Sequence, residues 1–240
     1  MTWNSILGVA CTISFLFPVA VIAYNRFYTH RSLSALLVYY LMTAVYILMS
    51  EQIIPTAAVF IRNYALVNNY LDAPLMLTSL LFFCPGRQKQ RKVWILAFLF
   101  VVYEIVITMM YGFTGKAMIK ILGPGICIIL GYTFYLFVHQ VKFSVMHRKN
   151  QGRMVMLAAI LFAYSCYGLT YYFYYIQKTP YKADALSIYY VSSFVASTMM
   201  GVGLHLMRKR MKELRSLKIT RRELAVFFGH DRKSVKMAKG

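Results

Sequence analysis

Seven stretches, each about the length that crosses hydrocarbon, run from Ile6 to Met207, and short hinges rich in lysine and arginine divide them. A helix on the surface of a soluble domain keeps a polar stripe, and a barrel strand alternates over about ten residues. These stretches do neither: they are apolar on every face. They predict membrane-spanning α-helices, because backbone groups in lipid must be paired within their own segment. The spans are read at 6–24, 33–53, 64–84, 93–112, 117–139, 154–176 and 185–207. The expected fold is all-α: a polytopic membrane protein with seven transmembrane helices over residues 1–208 and a basic cytoplasmic tail over 209–240.

Charge supplies the orientation. Of the 27 lysines and arginines, 22 lie in the tail or in the hinges after the first, third and fifth spans, and the opposite side holds Arg62, Lys116, Lys120, Lys178 and Lys182. By the positive-inside rule the N-terminus is expected outside and the C-terminus in the cytoplasm. No basic stretch precedes the first span and no small-residue cleavage site follows it, so it is expected to stay in the mature protein. A net charge of +20 on a soluble chain would suggest nucleic acid. On this one it faces the anionic inner leaflet, the expected partner, and no nucleic acid is expected. The protein is expected to be integral to a plasma or inner membrane. The tail is the expected contact for a cytoplasmic or membrane protein partner.

Two connections stand out. The outer segment from Glu51 to Asn63, with Pro55 and Arg62, suits a loop or short interfacial helix. In the tail, Thr220 and Glu223 have the spacing of a capping box, which predicts a short amphipathic helix over Arg221 to Phe228. Within the fifth span, Gly123-Pro124-Gly125 is expected to break or kink the helix, because proline removes one of its hydrogen bonds. No internal repeat of the kind many transporters carry is visible.

Candidate chemistry is sparse. Asp72 and Glu104 are the two carboxylates deep within spans, where charge costs a few kcal/mol or more, so both are expected in the bundle interior, as proton or ion groups. Hydrogen bonding to a tyrosine or a helix carbonyl is the expected resting arrangement. His139 and His205 read as boundary residues, and no second ligand stands near either at metal spacing. Cys11, Cys84, Cys127 and Cys166 lack metal or redox spacing and read as small buried apolar residues. The chain has no phosphate loop, nucleophile elbow or zinc-protease helix, and it is not expected to be an enzyme. Tyrosine is abundant, 20 of 240 residues. In the sixth span Tyr164, Tyr167 and Tyr171 recur at helical spacing and are expected to share one face, a wall for a flat apolar ligand or for a neighbouring helix. Tyr174, Tyr175 and Tyr181 read as an aromatic belt.

Three local stretches carry a resemblance. Tyr164-Ser165-Cys166-Tyr167-Gly168-Leu169-Thr170-Tyr171 resembles the W-S-x-Y-P-x-x-W segment of the microbial rhodopsins. Gly201-Val202-Gly203-Leu204-His205-Leu206-Met207-Arg208 resembles the G-x-G-L-x-L-x-R that follows their retinal lysine, and Asp72-Ala73-Pro74-Leu75 resembles their T-T-P-L. The resemblance implies an opsin-like bundle with a pocket at these positions. The departures concern the chromophore: Met199 stands where the lysine would form the Schiff base, Asn68 replaces the first counter-ion and Val195 the second. Covalent retinal is excluded at Met199, and no cofactor is expected beyond a non-covalent apolar ligand. With no cationic Schiff base to neutralise, buried counter-ions would only cost free energy, so the losses agree with one another.

The expected function is that of an opsin-like sensor, receptor or partner subunit, binding an apolar ligand or another membrane protein. The expected ligand-binding residues are Tyr164, Tyr167, Tyr171, Asn68, Asp72 and Met199. The alternative is a small secondary transporter or proton-coupled carrier that uses Asp72 and Glu104.

Overall fold

A computed structural model describes residues 3–84, 86–147, 151–177, 187–210 and 220, with the backbone alone given for 3–5, 143 and 145–147. The described residues form seven long helices and no strand: α1 Trp3–Tyr24, α2 Arg31–Ser50, α3 Ala58–Leu80, α4 Arg87–Tyr111, α5 Gly115–His147, α6 Gln151–Tyr171 and α7 Ser187–Arg210. The expected helix at Arg221 to Phe228, nearly all of the 209–240 tail, Tyr181, Lys178 and Lys182 lie outside the described residues.

Six of the helices are long and apolar enough to cross a membrane. This is the composition of a helical membrane protein. The exception is α3, whose hydropathy is lowered by Arg62, Asn63, Asn68, Asn69 and Asp72. It packs against α2, α4 and α5, and side-chain hydrogen bonds join it to α6. The deeper polar groups of this helix, Asn68, Asn69 and Asp72, face protein.

The helices close into a ring in chain order. Each of α1 to α5 packs on the next, and α5 on α6. The α6–α7 contact is made by glycine: a Cβ on Gly152 would stand 2.6 Å from the Gly203 carbonyl oxygen, so the two backbones approach as only glycine permits. Between α7 and α1 the hydroxyls of Ser197 and Ser14 hydrogen-bond in the buried interior. The core under this ring includes Leu77, Leu80, Ile121, Ile129, Met156 and Leu204. At one end lie Arg31, Arg87, Lys142 and Arg153, the basic end of the bundle.

Helix ends follow local chemistry and depart from hydropathy there. At the end of α1 the Asn25 amide donates to the Val21 carbonyl at 2.6 Å, and Arg26 turns left-handed at φ 54°. α2 stops at Ser50 and not at 53, because Gln52 is also left-handed (φ 57°) and the amides of Ile53 and Ile54 turn back to the Leu48 carbonyl, just before Pro55. α3 begins at Ala58, so the second half of the expected outer loop is helix. Its polar residues Arg62 and Asn63 are exposed and give the helix no reason to start later. α4 ends at Gly112, where φ is 68°, and the Thr114 hydroxyl caps α5 by accepting from the Ala117 amide at 3.4 Å.

Of the break or kink expected at Gly123-Pro124-Gly125, the break does not occur, since α5 runs as one helix over all 33 residues. Pro124 deprives the Lys120 carbonyl of its helical donor, and the Tyr103 hydroxyl of α4 donates to that carbonyl at 3.0 Å. One of the cysteine expectations also fails. Cys11 and Cys84 are buried, but Cys127 is exposed on the outer side of α5 and Cys166 is half-buried.

Candidate functional site

Four helices bring polar side chains to one small hollow. From α3 come Asn68, Asn69 and Asp72, which fall on one side because residues three and four apart stack on a helix. α6 supplies Ala163, Tyr164 and Tyr167, α2 supplies Tyr39 and Thr43, and α7 supplies Tyr189 and Ser193. The hollow has a volume of about 40 Å³.

Asp72 is the acidic group of this site, 8 % exposed, and it accepts a hydrogen bond from the Tyr164 hydroxyl at 2.9 Å. One turn along, the Tyr167 hydroxyl donates to Asn69 Oδ1 at 3.1 Å. The Asn69 amide nitrogen in turn donates to the Ala65 carbonyl at 2.7 Å, which fixes which end of the amide faces the tyrosine. Tyr164 packs edge-on against Tyr167, and Tyr167 packs at a tilt against Tyr189, so the aromatic wall continues from α6 onto α7. Two parallel hydrogen bonds thus clamp α3 to α6, each with a tyrosine as donor.

Of the six expected ligand-binding residues, Asn68, Asp72, Tyr164 and Tyr167 converge on the hollow, whereas Tyr171 and Met199 do not line it. Tyr171 shares the angular position of Tyr164 but stands seven residues, about 10 Å, further along the helix. At that height its neighbour is α5, and its hydroxyl donates to the Ile119 carbonyl at 2.8 Å. Gly123 leaves room for that hydroxyl, since a Cβ there would come within 3.0 Å of it. Met199 lies about 9 Å from Ser193 along α7 and a third of a turn away, and packs against the apolar core. Val195, at the position of the second counter-ion in the resemblance, is exposed.

The volume decides what the hollow admits. Pockets for small organic ligands run roughly 300–1,000 Å³, and a single water needs about 10–15 Å³ of such space. At about 40 Å³ the hollow has room for a few waters or a small ion and is smaller than a typical organic-ligand pocket. The lining is more polar than Asn68 and Asp72 alone would make it. Thr43, Asn69 and Ser193 were not singled out, although Asn69 adjoins Asn68 and Thr43 follows Tyr39 by one helical turn.

Glu104 stands apart from this hollow. It is 7 % exposed and lies on the face of α4 that carries Phe100 and Thr108, one turn away on either side. The Thr108 hydroxyl donates to the Tyr70 oxygen at 3.2 Å, which turns that face toward α3. Its Oε1 has no hydrogen-bond partner among the described residues. His139 and His205 are exposed, and the described residues contain no cluster of three or more histidine, cysteine or acidic side chains able to hold a metal.

No family model, no curated protein and no solved structure matches the chain. The likeness to microbial rhodopsins thus rests on the three stretches of sequence quoted above.

Proposed function

We propose that this chain is a seven-span membrane protein, N-terminus outside and C-terminus cytoplasmic, that works as an opsin-like sensor or partner subunit without a covalent chromophore. Its switching group is Asp72. The observation that carries this reading is the 2.9 Å hydrogen bond from Tyr164 to Asp72 inside a polar hollow shared by four helices. A proton or small cation arriving at Asp72 changes what the carboxyl accepts, and so changes the clamp between α3 and α6. A ligand shifts a conformational equilibrium only by its differential affinity for the two states, and the broken or intact clamp supplies that difference. The closed ring of helices, with α3 touching α2, α4, α5 and α6, supports the opsin-like arrangement.

Spin labels at the basic ends of α3 and α6 in reconstituted protein test this. Their separation is expected to change as pH is lowered, and to stay fixed in Asp72→Asn. A separation that ignores pH in the wild type, or that responds equally in the variant, rejects the reading.

A second reading, proton-coupled transport, draws on the unpartnered Oε1 of Glu104. Buried ionisable groups in membrane helices commonly form proton relays. Proton flux into liposomes that persists in the Asp72→Asn, Glu104→Gln double variant would rule it out.

A further inference from the structure

Among the described residues, a cavity larger than the Asp72 hollow lies elsewhere in the molecule. It lies at the basic end, has a volume of about 540 Å³, and falls within the range of small-molecule sites. We propose that it is a binding site for a phosphate group, carried by the headgroup of an anionic lipid or by a soluble phosphate compound.

Its lining is cationic and hydrogen-bond donating. Arg31 opens α2 and Arg153 lies in the first turn of α6, and no aspartate or glutamate lines the cavity with them. Neither guanidinium has a carboxylate partner among the described residues. A planar guanidinium matches phosphate oxygens two at a time, and two such groups across one cavity suit a doubly charged anion.

The aromatic packing holds these groups in place. The Phe82 ring carries the Arg153 guanidinium over its face, 4.9 Å from the centroid, and meets the His30 ring edge-on at 5.5 Å. Arg153 is thus positioned before any ligand arrives.

Ser32 adds an independent hydrogen-bond donor to the cavity. It is 7 % exposed, lines the cavity, and its hydroxyl has no hydrogen-bond partner among the described residues. The hydroxyl opens on the cavity, where it can donate to an anion. It sits in the first turn of α2, where His30 provides no side-chain cap and no acidic residue occupies the turn. The free amides and the positive end of the helix dipole there favour an anion. The topology adds to this field, because α2, α4 and α6 all begin around the cavity, with Gln90 and Trp94 contributed by α4.

The site is separate from Asp72, so Asp72→Asn is expected to leave it intact. The test uses the full chain in nanodiscs, with two probes. Native mass spectrometry reads retained phosphatidate against phosphatidylcholine, and phosphorus NMR titration reads inorganic phosphate. Binding of one probe or both is expected in the wild type, and which one binds distinguishes lipid from soluble source. Removing Arg31 and Arg153 together is expected to weaken it by about tenfold or more. Lys142→Ala, which removes an exposed cation from the same end, is expected to leave it unchanged. Should the double variant fail to fold, Arg153→Lys and Ser32→Ala decide, since each keeps the bulk of its site and loses one donor set. Wild-type protein that binds neither probe, or a Lys142→Ala variant that loses as much as the arginine variants, overturns the proposal.

Discussion

The Tyr103 hydroxyl donates to the Lys120 carbonyl, the acceptor that Pro124 leaves without a helical donor four residues later. A carbonyl facing lipid without a partner costs free energy, so the helix that loses an internal bond gains one from its neighbour. This relation turns a helix-breaking triplet into a joint between α4 and α5.

It can be measured as a double-mutant cycle. Tyr103→Phe is expected to destabilise the protein by about 1 kcal/mol, the usual range for a hydrogen bond between membrane helices. In a Pro124→Ala background the backbone donor returns, and the same change is expected to be nearly neutral. Unfolding in mixed micelles reads both. Equal costs in the two backgrounds would show that the hydroxyl does not replace the lost donor.

A second cycle addresses the hollow. Tyr164→Phe removes the donor to a buried carboxyl and is expected to cost about 1–3 kcal/mol. Asp72→Asn retains an acceptor oxygen and is expected to cost less than Asp72→Leu, which leaves the tyrosine hydroxyl buried and unpaired. If Asp72→Leu proved the milder change in the same unfolding assay, the hydrogen bond would not be what holds α3 to α6.

The two glycines of α7 are expected to behave differently. They are two residues apart, about 200° around the helix, and therefore face different neighbours. A Cβ on Gly203 would stand 2.9 Å from the Gly152 carbonyl oxygen, in backbone that cannot yield, so Gly203→Ala is expected to cost about 1–3 kcal/mol. A Cβ on Gly201 would meet a side chain, the Phe17 ring, and that ring is 41 % exposed, so relief requires a rotamer change instead of a backbone shift. Thermal unfolding of the two single variants is expected to show the larger loss for Gly203→Ala.

Purified protein supplied with a polyene is expected to show no bound visible absorption band, because a hollow of about 40 Å³ does not hold a long apolar chain. A band that co-purifies with the protein and disappears in Tyr164→Leu would show that the hollow expands.

Much of the fold was legible because membrane solvent imposes a coarse rule, and the chain obeys it wherever apolar residues run long enough. Six of the seven helices meet that rule outright, and α3, which its asparagines and Asp72 make more polar, is the seventh. Helix ends were less legible. They depend on left-handed residues such as Gln52 and on caps such as Asn25 and Thr114, which hydropathy does not register. The inward placement of Tyr164 and Tyr167 followed from helical spacing, that of Asp72 from the cost of charge in hydrocarbon, and that of Asn68 from the resemblance to the microbial rhodopsins.

The amino-acid order by itself determined that this protein is helical, that it belongs in a membrane, and which residues are too polar to face lipid. Only the tertiary structure decided how those residues meet. Tyr164 and Tyr171 share a helix face, yet one reaches Asp72 and the other the Ile119 carbonyl, because different helices stand opposite them at different heights. Periodicity specifies direction around a helix axis; it carries no record of which neighbour lies there, or of how much space is left between.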